Sequence, residues 1–174
     1  FDFTLKKEDK FILSKGHACH PLYTLLKEKG YNPKISGHPD IDIENKITCT
    51  TGSLGHGLPI GIGMALARKK LKESGKIYVL MGDGECQEGT TWESALIASH
   101  HRLDNLVVII DYNKLQALDK IENVLSLGDL GKKFEVFGWH VSEVDGHDVQ
   151  KINEELKKNI QGKPRIILAH TIKG

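Results

Sequence analysis

The sequence predicts an α/β fold, a doubly wound and mostly parallel sheet with helices on both faces. Three observations carry that expectation. First, Ile77–Met81 and Leu106–Ile110 are uninterrupted apolar runs of strand length, the pattern of strands buried on both faces. Second, His140–Val144 and Arg165–His170 repeat the strand signal, and segments of helical period lie between the runs, which calls for crossover connections between parallel strands. Third, Asp83 and Asn113 stand just past the ends of the two strongest strands, where open α/β sheets bind their ligands.

Composition narrows the classes of function. At 174 residues the chain can bury a core as a single domain spanning 1–174. Lysine plus arginine number 24 against 23 acidic residues, so no global field favours nucleic acid or an anionic membrane. No apolar run approaches the roughly 18 residues of a membrane span, and no signal peptide is expected. Three cysteines, Cys19, Cys49 and Cys86, without CxxC spacing fit a reducing cytoplasm better than a disulfide framework or a zinc ribbon. The first residue is Phe1 rather than Met and the last follows closely on a strand, so the domain is expected to be incomplete at both ends.

Taken in order, Phe1 to Lys10 is polar and reads as an entering loop, and Phe11–Leu13 is a candidate short strand. From His17 to Lys29 apolar residues recur at Ala18, Leu22, Leu25 and Leu26, with Gly30 at the position of a helix-terminating glycine. His17 then lies at a helix N-terminus, an anion site by its free N–H groups, although a capping or surface histidine is the plainer account. Tyr31 to Asp40 is a loop. A long helix is expected from about Leu58 to Ser74, closed by Gly75; Gly61 and Gly63 inside it each cost about 1 kcal/mol of propensity, so tight packing or approach of a ligand must explain them. Thr90-Thr-Trp-Glu93 has capping-box spacing and predicts a helix starting at Thr90. Further helices are expected over Leu127–Phe137, ended by Gly138, and over Val149–Asn159. His100 and His101 end a helix, where its dipole accounts for them. Four parallel strands with crossover helices result, and Phe11–Leu13 is a further candidate strand.

The segment Lys76–Gly89 organises the rest, because it runs from a buried strand straight into Gly82-Asp83-Gly84. These glycines leave room for a phosphate and permit torsions that a side chain forbids. Asn113 occupies the same place after its own strand. A carboxylate, an amide oxygen and a loop carbonyl are hard ligands that suit Mg²⁺ or Ca²⁺, with diphosphate oxygens and water completing about six positions.

Gly82-Asp83-Gly84 followed after 28 residues by Asn113 resembles the signature of thiamine-diphosphate enzymes. The match narrows to transketolase through Ser14-Lys-Gly-His17-Ala, Gly37-His38-Pro39, Thr51-Gly-Ser-Leu-Gly-His-Gly57, Gly82-Asp-Gly-Glu-Cys-Gln-Glu-Gly89 and Asp111-Tyr-Asn113-Lys, five motifs in one order. The resemblance implies transfer of a two-carbon ketol unit from a ketose phosphate to an aldose phosphate, as in the pentose phosphate pathway, with thiamine diphosphate and Mg²⁺ as cofactors. It assigns the metal to Asp83, Asn113 and the carbonyl of Leu115. The cofactor would meet His17, Gly52, Ser53, Leu54, Gly84 and Asn113. His17 and His38 would reach the donor's hydroxyls as catalytic groups, and Glu88 and Glu93 would be supporting or interface acids near the cofactor loop. It also implies a partner, a C-terminal transketolase section or subunit carrying the pyrimidine-binding domain and its glutamate, in a dimer or heterotetramer.

Two departures from the family pattern stand out. Only Asn32 to Ser36 separate Gly30-Tyr31 from Gly37-His-Pro39, where transketolases place a longer stretch, and His56 replaces the usual glutamine. His56 is either an added titratable group or a simple hydrogen-bond replacement. Rival readings fit less well. A haloacid-dehalogenase-type phosphatase needs its nucleophile directly after a strand, whereas Asp40 follows Gly-His-Pro. A dinucleotide fold needs GxGxxG after a strand, and Gly61-Ile-Gly63 lies within a helix. Deoxyxylulose-phosphate synthase, phosphoketolase and a noncatalytic cofactor-binding subunit remain as alternatives.

Overall fold

The computed structural model describes residues 6–173. Five strands, β1 (Lys10–Leu13), β2 (Ile77–Gly82), β3 (Leu106–Tyr112), β4 (His140–Asp145) and β5 (Arg165–His170), form a sheet in the order β1-β2-β3-β5-β4. Every adjacent pair is parallel. The candidate strand at Phe11–Leu13 is thus the fifth member, at one edge. Residues 1–5 of the expected entering loop lie outside the described residues, and Lys10 already belongs to β1.

Helices α1 (Cys19–Glu28), α2 (Gly57–Leu71), α3 (Gly89–His100), α4 (Ile121–Leu125), α5 (Leu130–Val136) and α6 (Val149–Lys157) complete the chain. Alternation along the strands decides where they pack. Ile77, Val79 and Met81 of β2, with Val108, Ile110, Ile166 and Leu168, face α2, α3 and α5 in the main core. The opposite face offers Leu80 and Leu13 to α1, and Tyr78, Val107 and Ile167 to α6 through Ile152 and Leu156. Crossover handedness explains the split. The steps from β2 to β3 and on to β4 run one way across the sheet, while the step from β4 back to β5 runs the other way, and a right-handed crossover must then change face.

Helix ends differ from expectation at several places, with α1 starting only at Cys19 and α6 stopping at Lys157 among them. The long helix stops at Leu71, because Lys72 adopts a left-handed φ of 57° and its N–H caps the last turn. Gly75, at φ 98°, belongs to the turn into β2, where a Cβ would meet the Arg68 guanidinium and the Glu8 carbonyl. The capping box at Thr90 does not form: α3 begins at Gly89 behind Glu88, and the Thr90 hydroxyl donates instead to the Gly55 carbonyl (2.9 Å). The helix foreseen from Leu127 begins only at Leu130, where the Asp129 carboxylate accepts from Lys132 N–H (2.9 Å). The short α4 escaped notice, since five residues are too few to show a helical period. Gly61 is explained by packing: a Cβ there would stand 2.6 Å from Val79 Cγ2.

The short stretch after α1 is pinned to that helix. Cys19 Sγ lies 3.4 and 3.3 Å from the carbonyls of Ser36 and Gly37, and the Tyr23 hydroxyl donates to the His38 carbonyl (3.0 Å). Fully buried Arg165 stabilises the other end of the sheet by donating to the carbonyls of Glu155 and Lys158 at the end of α6. Among the described residues no helix is long and apolar enough to cross a membrane.

Tyr78, 4% exposed beneath α6, has its phenol pushed up to about 12 by burial, with Asp9 adding to the effect. Its folded value lies above the unfolded one, so the neutral form contributes stability that is complete below pH ~10 and lost as pH rises to about 12. Two pH units correspond to roughly 2–3 kcal/mol. Chemical denaturation of wild type and Tyr78→Phe across that window should show the wild type losing about this much more stability. Parallel losses would refute the assignment.

Candidate functional site

The strand ends determine where the site lies. After β1 the chain turns to α1 on one face, and after β2 it turns to α3 on the other, so the carboxyl ends of these neighbours diverge and leave a crevice. Five loops meet there. Ser14–His17 follow β1, Gly82–Glu85 follow β2, and Asp111–Leu115 follow β3. The loops carrying His38 and Thr51–Gly57 fold over them.

Close backbone contacts bring these loops together. A Cβ on Gly16 would stand 2.9 Å from Gly52 N, and one on Gly52 would stand 3.0 Å from the His38 ring. Gly52, at φ 140°, is therefore held between the β1 loop and His38. Thr51 fastens this arrangement through its hydroxyl to the Leu13 carbonyl (2.7 Å) and its N–H to the Pro39 carbonyl (3.0 Å). His17 lies in the 3₁₀ turn Gly16–Ala18 just ahead of α1. His17, His38, Ser53 and Leu54 are all exposed around the crevice.

Asp83 is 2% exposed and directly follows β2. Its Oδ1 accepts from Gly84 N–H (2.8 Å) and its Oδ2 from Lys114 N–H (2.5 Å), which leaves a lone pair on each oxygen. Burial raises its pKa against the opposing pull of these two bonds, with Asp111 adding to the rise. Asn113 is oriented at both ends, its amide donating to Asp111 (3.1 Å) and its Oδ1 accepting from Leu115 N–H (2.9 Å). The small hairpin bridge at Leu115 and Lys120 uses the carbonyls of Lys114 and Asp119, so the Leu115 carbonyl stands outside it. Oxygen donors from one carboxylate, one amide and one carbonyl thus lie on neighbouring loops. Among the described residues no three His, Cys, Asp or Glu side chains are grouped so as to hold a metal ion.

The glycines of Gly82-Asp83-Gly84 serve differently from expectation. Neither takes a left-handed torsion, and the space at Gly84 is occupied by Gln116, whose Oε1 would lie 3.1 Å from an added Cβ. The buried Nε2 of that same Gln116 has no hydrogen-bond partner among the described residues.

Several charged and polar groups of the site had no role in the sequence reading. The Asp111 carboxylate receives the Lys15 ammonium, the Thr171 hydroxyl and Asn113 together. Burial alone would raise its pKa, but these donors, Lys15 foremost, lower it. Partial desolvation of the otherwise exposed His17 ring lowers its pKa, and the nearby charges of Lys15 and Lys173 act in the same direction, which favours the neutral imidazole. Buried Glu85 accepts from Ser14, Gly55 and Gly82. The signal available was position, since Ser14, Lys15, Asp111 and Thr171 all sit at or just past strand ends. His56 folds onto its own loop, its Nδ1 2.9 Å from the Leu54 carbonyl and 3.2 Å from the Ser53 hydroxyl. Glu88, the residue that precedes α3, and Glu93 within it are both exposed, and the Glu88 side chain lies against Gly55, 2.7 Å from where a Cβ would stand.

The sequence model of the transketolase thiamine diphosphate binding domain matches residues 2–174. The chain belongs to the transketolase family. Its relatives include an apulose-4-phosphate transketolase subunit from Actinobacillus succinogenes, 41% identical over 187 aligned residues that cover 99% of this chain and 67% of the relative. A 6-deoxy-6-sulfo-D-fructose transketolase subunit from a Clostridium species is 40% identical, covering 97% of this chain and 66% of its own length. Among solved structures, transketolase from Leishmania mexicana superposes with a TM-score of 0.85 at 29% identity, covering 94% of this chain but 28% of that one. This transketolase domain therefore spans about two thirds of the subunit-type relatives and under a third of the longer transketolases. The alignment to the Actinobacillus relative is longer than the 174 residues here, so that relative carries residues with no counterpart in this chain.

Proposed function

We propose that this chain is the diphosphate-anchoring part of a transketolase that moves a two-carbon ketol unit from a ketose phosphate to an aldose phosphate. The observation that carries the reading is the set of oxygen donors at Asp83, Asn113 and Leu115, facing a crevice rimmed by His17, His38 and Gly52–Leu54. A buried carboxylate whose pKa burial has raised is an electrostatic deficit that a divalent cation removes. Mg²⁺ or Ca²⁺ suits this donor set, and the unpaired Gln116 amide beside Gly84 offers a donor to an anionic group there.

When bound, thiamine diphosphate supplies the carbon nucleophile and the electron sink for carbon–carbon cleavage. This chain's residues hold and orient. Asp83, Asn113 and the Leu115 carbonyl hold the metal, Gly84 and His17 face the diphosphate, and Gly52, Ser53 and Leu54 line the ring. His17 and His38 accept and return protons at the donor's hydroxyls, the neutral state of His17 being favoured by its partial desolvation and cationic neighbours. The substrates are sugar phosphates of the pentose phosphate type. The setting is reducing and cytoplasmic, in keeping with three free cysteines.

The pyrimidine end of the cofactor needs a glutamate from another domain, for which the described sheet and helices have no counterpart. A C-terminal section or a separate polypeptide supplies it, a reading supported by relatives that are themselves named as transketolase subunits. The purified chain saturated with Mg²⁺ and thiamine diphosphate should therefore give no ketol transfer, and titration with the candidate partner should restore turnover and tighten cofactor binding together. Calorimetry with and without Mg²⁺ tests the anchor itself. Robust turnover before any partner is added would overturn the division of labour.

A further inference from the structure

Glu85 has no place in the chemistry above, yet it is 1% exposed and engages more loops than any ligand position. Its Oε1 accepts from the Ser14 hydroxyl and from Gly55 N–H (3.0 Å), and its Oε2 from Gly82 N–H (3.3 Å). The donors come from the end of β1, from the Thr51–Gly57 loop and from the end of β2. Its own carbonyl accepts from the Thr91 hydroxyl (3.2 Å), which fixes it to α3. Gly55 is gripped on both sides, by Glu85 at its N–H and by Thr90 at its carbonyl (2.9 Å), in a left-handed φ of 76°.

We infer that Glu85 is a positioning residue for the cofactor: it clamps Gly55 and thereby sets the height of Gly52, Ser53 and Leu54 over the crevice, without touching the ligand. The inference rests on the reading that these three residues line thiamine diphosphate. What matters is reach. The segment Gly52–Leu54 is exposed and lies between two fixed points, Thr51 on the Leu13 carbonyl and Gly55 on Glu85. Releasing the second point frees the segment while the first still joins it to the sheet.

Reach and charge are separable by substitution. Glu85→Gln keeps an oxygen at the distance of Ser14 and Gly55, removes the charge, and turns an amide N–H toward Gly82 N–H in place of the longest bond. Glu85→Asp keeps the carboxylate but falls one methylene short of Gly55. In the enzyme assembled with its partner, Glu85→Asp should speed amide exchange across Thr51–Gly57 and weaken thiamine diphosphate binding, each about tenfold, with kcat at saturating cofactor within about twofold. Glu85→Gln should stay within about threefold of wild type in both readouts. Thr90→Val, which releases the other side of Gly55, should shift both in the same direction as Glu85→Asp, and it decides the matter if a Glu85 variant fails to fold. The inference is overturned if Gln proves worse than Asp, since charge would then act rather than reach. It is equally overturned if the loop loosens without loss of affinity. A wild type that binds no thiamine diphosphate would remove the cofactor reading and this role with it, whereas exchange at Gly55 would still report the clamp.

Discussion

Asp83→Ala should abolish Mg²⁺-dependent thiamine diphosphate binding, a loss of at least about a hundredfold, while moving stability by only about 1 kcal/mol. The two halves have different causes. Binding loses the only carboxylate among the three proposed metal ligands, and neither a neutral amide nor a carbonyl replaces its charge. Stability loses the bonds from Gly84 and Lys114 N–H, each of order 1 kcal/mol, but is relieved of a buried charge whose pKa burial has raised. These opposing terms nearly cancel. A cofactor titration by calorimetry paired with a thermal melt reads both, and unchanged affinity in a folded variant would sink the metal assignment.

The same substitution made twice on α2 should have opposite effects. In Gly57→Ala the new Cβ would meet Ser14 at 2.2 Å from Oγ and 2.9 Å from Cα, and a backbone contact cannot be relieved by a rotamer change. Overpacking costs about 1–3 kcal/mol, and pushing Ser14 off Glu85 adds a further ~1–3 kcal/mol for a buried acceptor left short of a donor. Against this, the helix-propensity gain of alanine is at most about 1 kcal/mol. Packing wins, for a net loss of about 3 kcal/mol and a fall in Tm of roughly 6–12 °C. Gly63 lies two turns further along, exposed and with nothing within 4 Å of its would-be Cβ. Gly63→Ala should raise stability by about 0.5–1 kcal/mol. Melts of both variants check the pair, and a destabilised Gly63→Ala would show that its surroundings are more crowded than the fold implies.

Some of this was legible in the amino acids and some was not, for identifiable reasons. The runs at Ile77 and Leu106 became central strands because strands buried on both faces must be apolar throughout, and Arg165–His170 matches its strand end to end. The Thr90 capping box failed because its hydroxyl has a tertiary use, holding Gly55, and a local pattern contains no trace of a loop thirty-five residues away. Gly75 looked like a helix stop until Lys72 took the left-handed turn first. At the crevice, the motifs located the loops, and Asp83 and Asn113 do stand at neighbouring strand ends as their spacing required. Glu85 was hidden for another reason. Its neighbours Asp83 and Glu88 look equally acidic in sequence; burial separates it from Glu88, and only the donors gathered from the ends of β1 and β2 and from the Thr51–Gly57 loop separate it from Asp83, which is buried too.

The way Asp111 is held bears on how this domain is born. Its carboxylate needs Lys15, from the loop after the first strand, and Thr171, which comes just after the last. During synthesis the early loops, with Asp83 and Asn113 included, leave the ribosome long before Thr171 does, and β5 must insert between β3 and β4 before its end can reach Asp111. Until then a nascent chain has the loops after β2 and β3 without the Thr171 contact to Asp111, and the sheet has an open seam along β3. The hydrogen-bond set around Asp111, to which Asn113 also belongs, is thereby completed only once β5 has taken its place in the sheet.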